Sequence, residues 1–202
     1  MIYIDNILFA IILTIGVGFF VKNVKKLIRN IKLGQDVNRT DNSSERWKNM
    51  AMIALGQSKM VKRPVSGFLH IIVYVGFVII NLEVLEIIID GLFGTHRVFS
   101  FLGSFYGILI GSFEILAVLV LIAVFAFWIR RNIIKLKRFT SSELKGKPKK
   151  DANIILYFEV ILMSLFLIMN ATDIYFQQAN SGNIISQYIS PLFSSLSLFE
   201  IQ

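Results

Sequence analysis

Four long apolar runs alternate with polar stretches along the 202-residue chain. The runs cover about residues 2–21, 67–89, 105–129 and 153–169. An α-helix rises 1.5 Å per residue, so about 20 apolar residues cross the hydrocarbon core of a bilayer. The pattern therefore predicts an all-α fold, a polytopic membrane bundle of four transmembrane helices that forms a single transmembrane domain.

The charges between the runs predict the orientation of the helices. Loops 22–66 and 130–152 together hold 20 of the 21 lysines and arginines, and the remaining one is Arg97. Loops rich in lysine and arginine stay in the cytoplasm. Both loops are therefore expected inside, and segments 90–104 and 170–202 and both termini are expected outside.

Composition narrows the class further. The chain is 55% hydrophobic with a mean hydropathy of +0.67, which excludes an ordinary soluble domain. Its net charge of +8 does not require a nucleic-acid-binding function, because basic loops that face the anionic inner leaflet account for the positive charge. Cysteine is absent, so no disulfide and no cysteine-ligated iron–sulfur cluster can belong to this chain.

Three segments outside the second run carry weaker signals. The first run follows residues without lysine or arginine and precedes no small-residue cleavage site, which favours a retained anchor helix over a signal peptide. Residues 45–58 predict a short helix that either lies in the membrane interface or docks a soluble partner. Residues 174–202, which include Pro191, predict an outer interfacial segment or the approach to a further span.

Glycines recur at every fourth position at the start of the third run, at Gly103, Gly107 and Gly111. Small residues at this spacing allow two helix backbones to approach closely. The alternative is simple tolerance of glycine in a membrane helix. Glu114 follows in the same run, near mid-membrane.

The second run contains ionisable residues, which are costly inside a membrane and therefore mark a candidate site. Glu83, Glu86 and Asp90 form one stripe at helical spacing. His70 lies 13 residues before Glu83, roughly 220° around the helix, so it faces nearly the opposite way. One helix could thus serve two different partners at two depths.

His70 is a candidate axial ligand of haem iron, because helix bundles build haem sites from the imidazoles of facing helices. The alternative is a histidine that hydrogen-bonds a neighbouring helix or a lipid headgroup. His96, the weaker haem or quinone candidate, lies 26 residues away, about 39 Å along a continuous helix. The two histidines cannot share one haem, so a second ligand must come from another chain, a missing segment or a methionine such as Met163.

An outer group of polar residues predicts a quinone or proton site. Carboxylates in a low-dielectric surrounding suit proton exchange with a quinone headgroup. The alternative is a structural cap in which Arg97 pairs with Asp90 and ties down the turn. The two interpretations are compatible. The candidates are Glu83, Glu86, Asp90, His96 and Arg97, with Asn170 and Asp173 nearby.

Two segments resemble a known class of membrane proteins. They are LGQSKMVKRPVSGFLHIIVYVGFVIINLEVLEIIIDGLFGTHRVF and DANIILYFEVILMSLFLIMNATD. They are similar to the membrane part of bacterial membrane-bound iron–sulfur oxidoreductases, in the nitrate reductase gamma-subunit and heterodisulfide reductase membrane-subunit class of cytochrome b. The resemblance covers roughly Ala54–Asp173 and is most specific in LGQ-KM-KRP-LH and EIIIDG-FGTHR.

The resemblance implies a multi-pass subunit of the bacterial cytoplasmic membrane that passes electrons between a cytoplasmic iron–sulfur or flavoprotein module and membrane quinone. It implies b-type haem, with His70 as axial ligand. In this class a later span brings further histidines, and a cysteine-rich domain follows. Neither is in this sequence, so we expect a hetero-oligomer or a longer protein.

Two other functions fit the same sequence. In the first, the bundle is a non-redox structural anchor that assembles a larger complex. In the second, it is a small transporter subunit with Glu83, Glu114 and Glu159 as relay groups. The absence of internal repeats and of helices broken in mid-membrane counts against the transporter.

Overall fold

The fold is all-helical in the part of the chain that the structure describes. The computed structural model describes residues 3–35, 40–60, 62–136, 146–179 and 181–193. No strand occurs in these ranges. The helices are α1 (Ile4–Ile31), α2 (Ser43–Met50, continued by a π-helical turn at Ala51–Leu55), α3 (Pro64–Phe93), α4 (Ser104–Asn132, preceded by a 3-10 turn at Val98–Leu102), α5 (Lys147–Thr172), α6 (Ile174–Ala179) and α7 (Ser186–Phe193).

Four of these helices, α1, α3, α4 and α5, are long and apolar enough to cross a membrane. This confirms the predicted fold class. Each helix also extends beyond its apolar run into polar sequence. For example, α1 continues through its basic residues to Ile31. Such side chains can keep their charged ends in water while their aliphatic stems cover the membrane boundary.

The helices form two compact units. One consists of Met1–Lys59 with Glu83–Val98, and the other of Met60–Leu82 with Phe99–Gln202. Helix α3 is continuous, so its first part belongs to the second unit and its last part to the first.

In the first unit, the start of α1 packs against the end of α3. The amide Nδ2 of Asn6 donates a hydrogen bond to the carbonyl oxygen of Gly91 (2.9 Å). The Phe9 ring lies where a side chain at Gly91 would stand, since a Cβ there would come within 2.6 Å of it. Helix α1 has no buried residue and leaves most of its apolar side chains exposed, as suits a helix surrounded by lipid.

In the second unit, α3, α4 and α5 enclose an apolar core, and α4 contributes more buried residues than α5 does. Helices α4 and α5 run antiparallel. The side-chain amides of Asn132 and Asn153 bond each other reciprocally at one end, and Asn170 bonds Glu114 further along. The buried apolar residues of this core are Ile80, Tyr106, Ile110, Phe113, Ala117, Val120, Val124, Met163, Phe166, Leu167 and Phe176.

The glycines of α4 contact a loop and not the second helix that their spacing had predicted. Gly107 and Gly111 face the non-helical segment 181–184, which runs along the first turns of α4. Gly182 adopts a positive φ of 91°, and a Cβ on it would lie 2.6 Å from the carbonyl oxygen of Gly107. The small residues therefore admit a loop backbone, and the C-terminal segment follows α4 toward its middle.

Candidate functional sites in the apolar helices

The turn that follows α3 is organised by Asp90. Its Oδ1 accepts hydrogen bonds from the Thr95 hydroxyl (2.5 Å) and the backbone N–H of Val98 (3.2 Å). Its Oδ2 accepts one from the backbone N–H of Arg97 (2.7 Å). Arg97 has a positive φ of 51°, an uncommon conformation for a residue with a side chain. The carboxylate of Asp90 therefore ties down the turn, with the Thr95 hydroxyl and the backbone N–H groups of Arg97 and Val98 as donors.

Glu83, Glu86 and Arg97 form a buried charged cluster in the same unit. Their exposed fractions are 3%, 2% and 8%. The Glu83 carboxyl lies within electrostatic range of the carboxyls of Glu86 and Asp90 and of the Arg97 guanidinium. Arg97 supplies the opposite charge that a buried carboxylate needs, because an isolated charge at low dielectric is very costly, whereas the neighbouring carboxyls repel it. The structure thus brings together four of the predicted site residues.

His96 lies in the same turn but is exposed. Asn170 and Asp173, the two other residues predicted near this group, have structural partners of their own. Asp173 Oδ1 accepts a hydrogen bond from the backbone N–H of Phe176 (3.0 Å) and thereby caps the start of α6. Asn170 bonds Glu114.

Glu114 forms the most complete polar network in the described part of the fold. It is 0% exposed. Its Oε1 accepts a hydrogen bond from Asn170 Nδ2 (3.1 Å), and its Oε2 accepts from the backbone N–H groups of Ile185 (2.7 Å) and Ser186 (3.1 Å). Glu114 thus binds the start of α7 to the middle of α4.

Gln177 extends this network on the side of α6. Its Nε2 donates to the carbonyl oxygen of Asn170 (2.8 Å) and to the Ser186 hydroxyl (2.9 Å). Its Oε1 accepts from Asn183 Nδ2 (3.1 Å). This network was not predicted from the sequence. A carboxylate in mid-helix, followed far along the chain by several amides, was the available signal, but it did not reveal which of them pair.

His70 is half-buried in the first part of α3. Its imidazole makes no hydrogen bond to another described residue, so neither ring nitrogen is committed to a structural partner. Ser66 lies beside Arg130, and Gly76 lies beside Val120. By this antiparallel register, His70 stands at about the level of Ala126 on α4.

Met163 is buried in the core of the same unit. The Trp128–Tyr157 and Asn132–Asn153 pairs set the register of α4 against α5. By that register Met163 lies about one helical turn, ~6 Å, deeper than His70. No group of three or more metal-ligating side chains is found among the described residues. The geometry therefore offers one uncommitted imidazole, without a second histidine at its depth in the described ranges.

Comparison with known proteins finds similarity to an oxidoreductase. The chain is 32% identical over 170 residues to the probable iron-sulfur-binding oxidoreductase FadF of Bacillus subtilis. The match covers 84% of this chain. The chain is similar to an iron–sulfur-binding oxidoreductase. No protein-family model and no solved structure matches it.

The chain spans 23% of the length of FadF. The similarity therefore concerns a segment that, in this chain, is made of apolar helices and holds no cysteine. This supports the general prediction that the chain is a membrane-type protein associated with an iron–sulfur oxidoreductase. The assignment to a cytochrome b class stays a prediction.

Proposed function

We propose that this chain is the membrane-embedded part of an iron–sulfur-linked oxidoreductase that exchanges electrons with membrane quinone. One observation carries the proposal. The chain is similar over most of its length to a protein named as iron–sulfur-binding, yet it has no cysteine. Because cysteine thiolates hold iron–sulfur clusters, the cluster must belong to another part of the protein or to a partner chain. These helices then supply the membrane side of the reaction.

In this proposal His70 is the ligand of a b-type haem. An axial imidazole needs an uncommitted ring nitrogen and a partly enclosed position, and His70 has both. Haem carries single electrons and would supply the one-electron step between the iron–sulfur cluster and quinone. Met163, a partner chain or a further segment would supply the other ligand.

The quinone reaction is assigned to the buried cluster at the end of α3. Quinone becomes quinol by taking up two electrons and two protons. When quinone is the acceptor, the electrons come from the iron–sulfur module, and we assign the proton transfer to Glu83 and Glu86. Arg97 offsets part of their negative charge. Asp90 contributes less to proton transfer, since its oxygens already accept three hydrogen bonds in the turn. His96, exposed beside the cluster, is the route to water.

The basic loops 22–66 and 130–152 are the proposed docking surface for the cytoplasmic iron–sulfur or flavoprotein partner. In the described part of these loops, Trp47 and Met50 of α2 are exposed beside Arg46 and Lys48. Aromatic and basic side chains together suit either a protein partner or the membrane surface. Residues 36–39, 61 and 137–145 lie outside the described residues.

Visible spectroscopy of the purified complex tests the haem assignment. After reduction with dithionite we expect the Soret and α-bands of b-type haem, and we expect His70→Ala to abolish them. His96→Ala is the matched control and should leave them in place. If His96→Ala removed the bands and His70→Ala did not, the ligand assignment would be reversed. An intact complex without haem bands would refute the haem step.

Quinone turnover tests the outer cluster separately. Glu83→Gln should slow reduction of a short-chain quinone by about 10²-fold, the usual share of a proton-transfer group. His96→Ala should slow it less. Glu159→Gln, a half-buried carboxyl on α5, is the control, and the thermal midpoint of each variant checks folding. Unchanged turnover in both Glu83→Gln and His96→Ala would remove the site assignment.

A non-redox structural anchor is the second candidate, and specific contacts favour it. Asp90, Asp173 and Glu114 all hold backbone N–H groups of turns or helix starts. In such an anchor the polar residues serve only to tie helices together. The spectrum of the complex distinguishes the two functions, because the anchor predicts no haem and normal assembly of all cluster variants.

A further inference from the structure

An apolar groove lies between α4 and α5 near the basic end of the second unit. It encloses about 470 Å³, within the usual range of small-ligand sites. The polar atoms of its aromatic residues pair with each other, because Trp128 Nε1 donates to the Tyr157 hydroxyl (3.2 Å), and the Phe125 ring stacks on Trp128. The lining residues are Val124, Phe125, Trp128, Leu156, Tyr157, Val160 and Ile161.

Cationic side chains stand directly beyond this groove on both helices. Arg131 lies three residues past Trp128, on the neighbouring turn of the same side of α4. Lys150 lies seven residues before Tyr157 and shares its face of α5. Arg131 Nη2 donates to the carbonyl oxygens of Pro148 (3.4 Å) and Lys149 (3.3 Å), which holds the guanidinium between the two helices.

Arg130 serves as a natural comparison. It lies two residues past Trp128, on nearly the opposite side of α4, and its Nη2 donates to the Ser66 hydroxyl on α3 (3.2 Å). The two adjacent arginines therefore have equal charge and nearly equal depth but face different helices. Arg131 is directed to the groove side, and Arg130 is directed away from it.

We propose that this groove binds an acyl chain of an anionic phospholipid, whose phosphate is held by Arg131 and Lys150. Charge complementarity selects this occupant. A guanidinium binds phosphate oxygens well, and a long lysine side chain reaches the headgroup region. The inner leaflet, which the basic loops are predicted to face, carries the anionic lipid. The proposal holds whether or not the chain carries electrons.

Fluorescence quenching by brominated lipids tests the site. The chain has two tryptophans, so Trp47→Phe leaves Trp128 as its sole tryptophan, in the groove itself. The full chain is placed in nanodiscs that contain a small fraction of lipid brominated on the acyl chain. We expect brominated phosphatidylglycerol to quench Trp128 at least about twofold more than brominated phosphatidylcholine at the same fraction. Both lipids carry a phosphate, but the choline ammonium cancels its charge and repels the two cations, whereas phosphatidylglycerol keeps a net negative charge.

The two arginines provide the matched variants. Arg131→Gln should abolish the preference for phosphatidylglycerol, and Arg130→Gln should preserve it. Lys150→Gln should weaken the preference for phosphatidylglycerol. Because Lys150 is exposed, this variant is expected to fold even if an arginine variant does not, so it keeps the test decisive. Equal quenching by both lipids in the Trp47→Phe protein would overturn the proposal and indicate bulk lipid contact only. Absence of quenching by either lipid would overturn it as well, and would indicate that protein or a quinone tail fills the groove.

Discussion

Glu114 is fully buried in the middle of α4, and yet each of its carboxylate oxygens accepts a hydrogen bond. Polar groups inside an apolar bundle are tolerated when every donor and acceptor is matched, because an unmatched one costs about 1–3 kcal/mol. Asp90 meets the same requirement with three donors. His70 differs, since its ring has no partner among the described residues. At the scale of single residues, satisfied carboxylates indicate a structural role, and the uncommitted imidazole is the residue to which our proposal assigns a ligand.

Glu114→Ala should destabilise the protein strongly. It would leave two backbone N–H groups and the Asn170 amide without their acceptor in a buried place, for a loss of about 2–4 kcal/mol. Thermal unfolding in lipid nanodiscs measures this change. Glu114→Gln, which keeps one acceptor oxygen, should lose less. The control is Glu159→Ala on the half-buried face of α5, and an equal shift in both alanine variants would contradict the role of the network.

At the scale of elements, the C-terminal segment is held to α4 by close backbone contact. Residues 181–184 pass over Gly107 and Gly111, and Glu114 receives the next two N–H groups at the start of α7. A loop can approach a helix this closely only where side chains are missing on the helix. The glycines and the carboxylate therefore act as one docking strip along α4.

Gly182→Ala should release part of this docking. The residue has φ of 91°, and the new Cβ would lie 2.6 Å from the Gly107 carbonyl oxygen, so the substitution should cost about 1–3 kcal/mol. Hydrogen exchange at the Ile185 and Ser186 amides reports the loss directly. Gly16→Ala on α1, where nothing lies within 4 Å of the new Cβ, is the matched control and should be neutral. Equal protection of both amides in wild type and Gly182→Ala would refute the docking strip.

At the scale of the whole molecule, the distribution of charge is the main asymmetry of the chain. Of the 21 basic residues, all but Arg97 fall in two loops. That distribution predicts one orientation in the membrane, because translocating a lysine-rich loop is unfavourable. The same orientation would bring the docking loops to a cytoplasmic partner and the end of α3 to the outer leaflet.

Single-cysteine labelling tests this orientation without a background, since the chain has no cysteine. Ser44→Cys and Lys149→Cys should react with a membrane-impermeant maleimide only after the cells are opened. Ser100→Cys should react in intact cells. All three positions are exposed in the structure, so poor access is not a concern. Reaction of Ser44→Cys and Ser100→Cys from the same side would contradict the predicted topology.

Run length and composition were sufficient to identify the kind of protein. They specified four apolar helices, because a segment inside the bilayer must be apolar, long enough to cross it and hydrogen-bonded within its own backbone, whatever it packs against. The spacing of Glu83, Glu86 and Asp90 correctly placed them on one helix. The haem and quinone assignments stay predictions, because neither the contacts of the described residues nor the similarity to FadF tests them.

The pairing of polar groups, in contrast, became known from tertiary packing alone. Glu114 and Ser186 are 72 residues apart, and periodicity along one helix carries no information about such a distant donor. The glycines of α4 were recognisable as sites of close approach, but the approaching partner was a loop that the sequence pattern could not identify. Hydropathy describes what surrounds each segment, whereas hydrogen-bond partners depend on how separate segments pack in three dimensions.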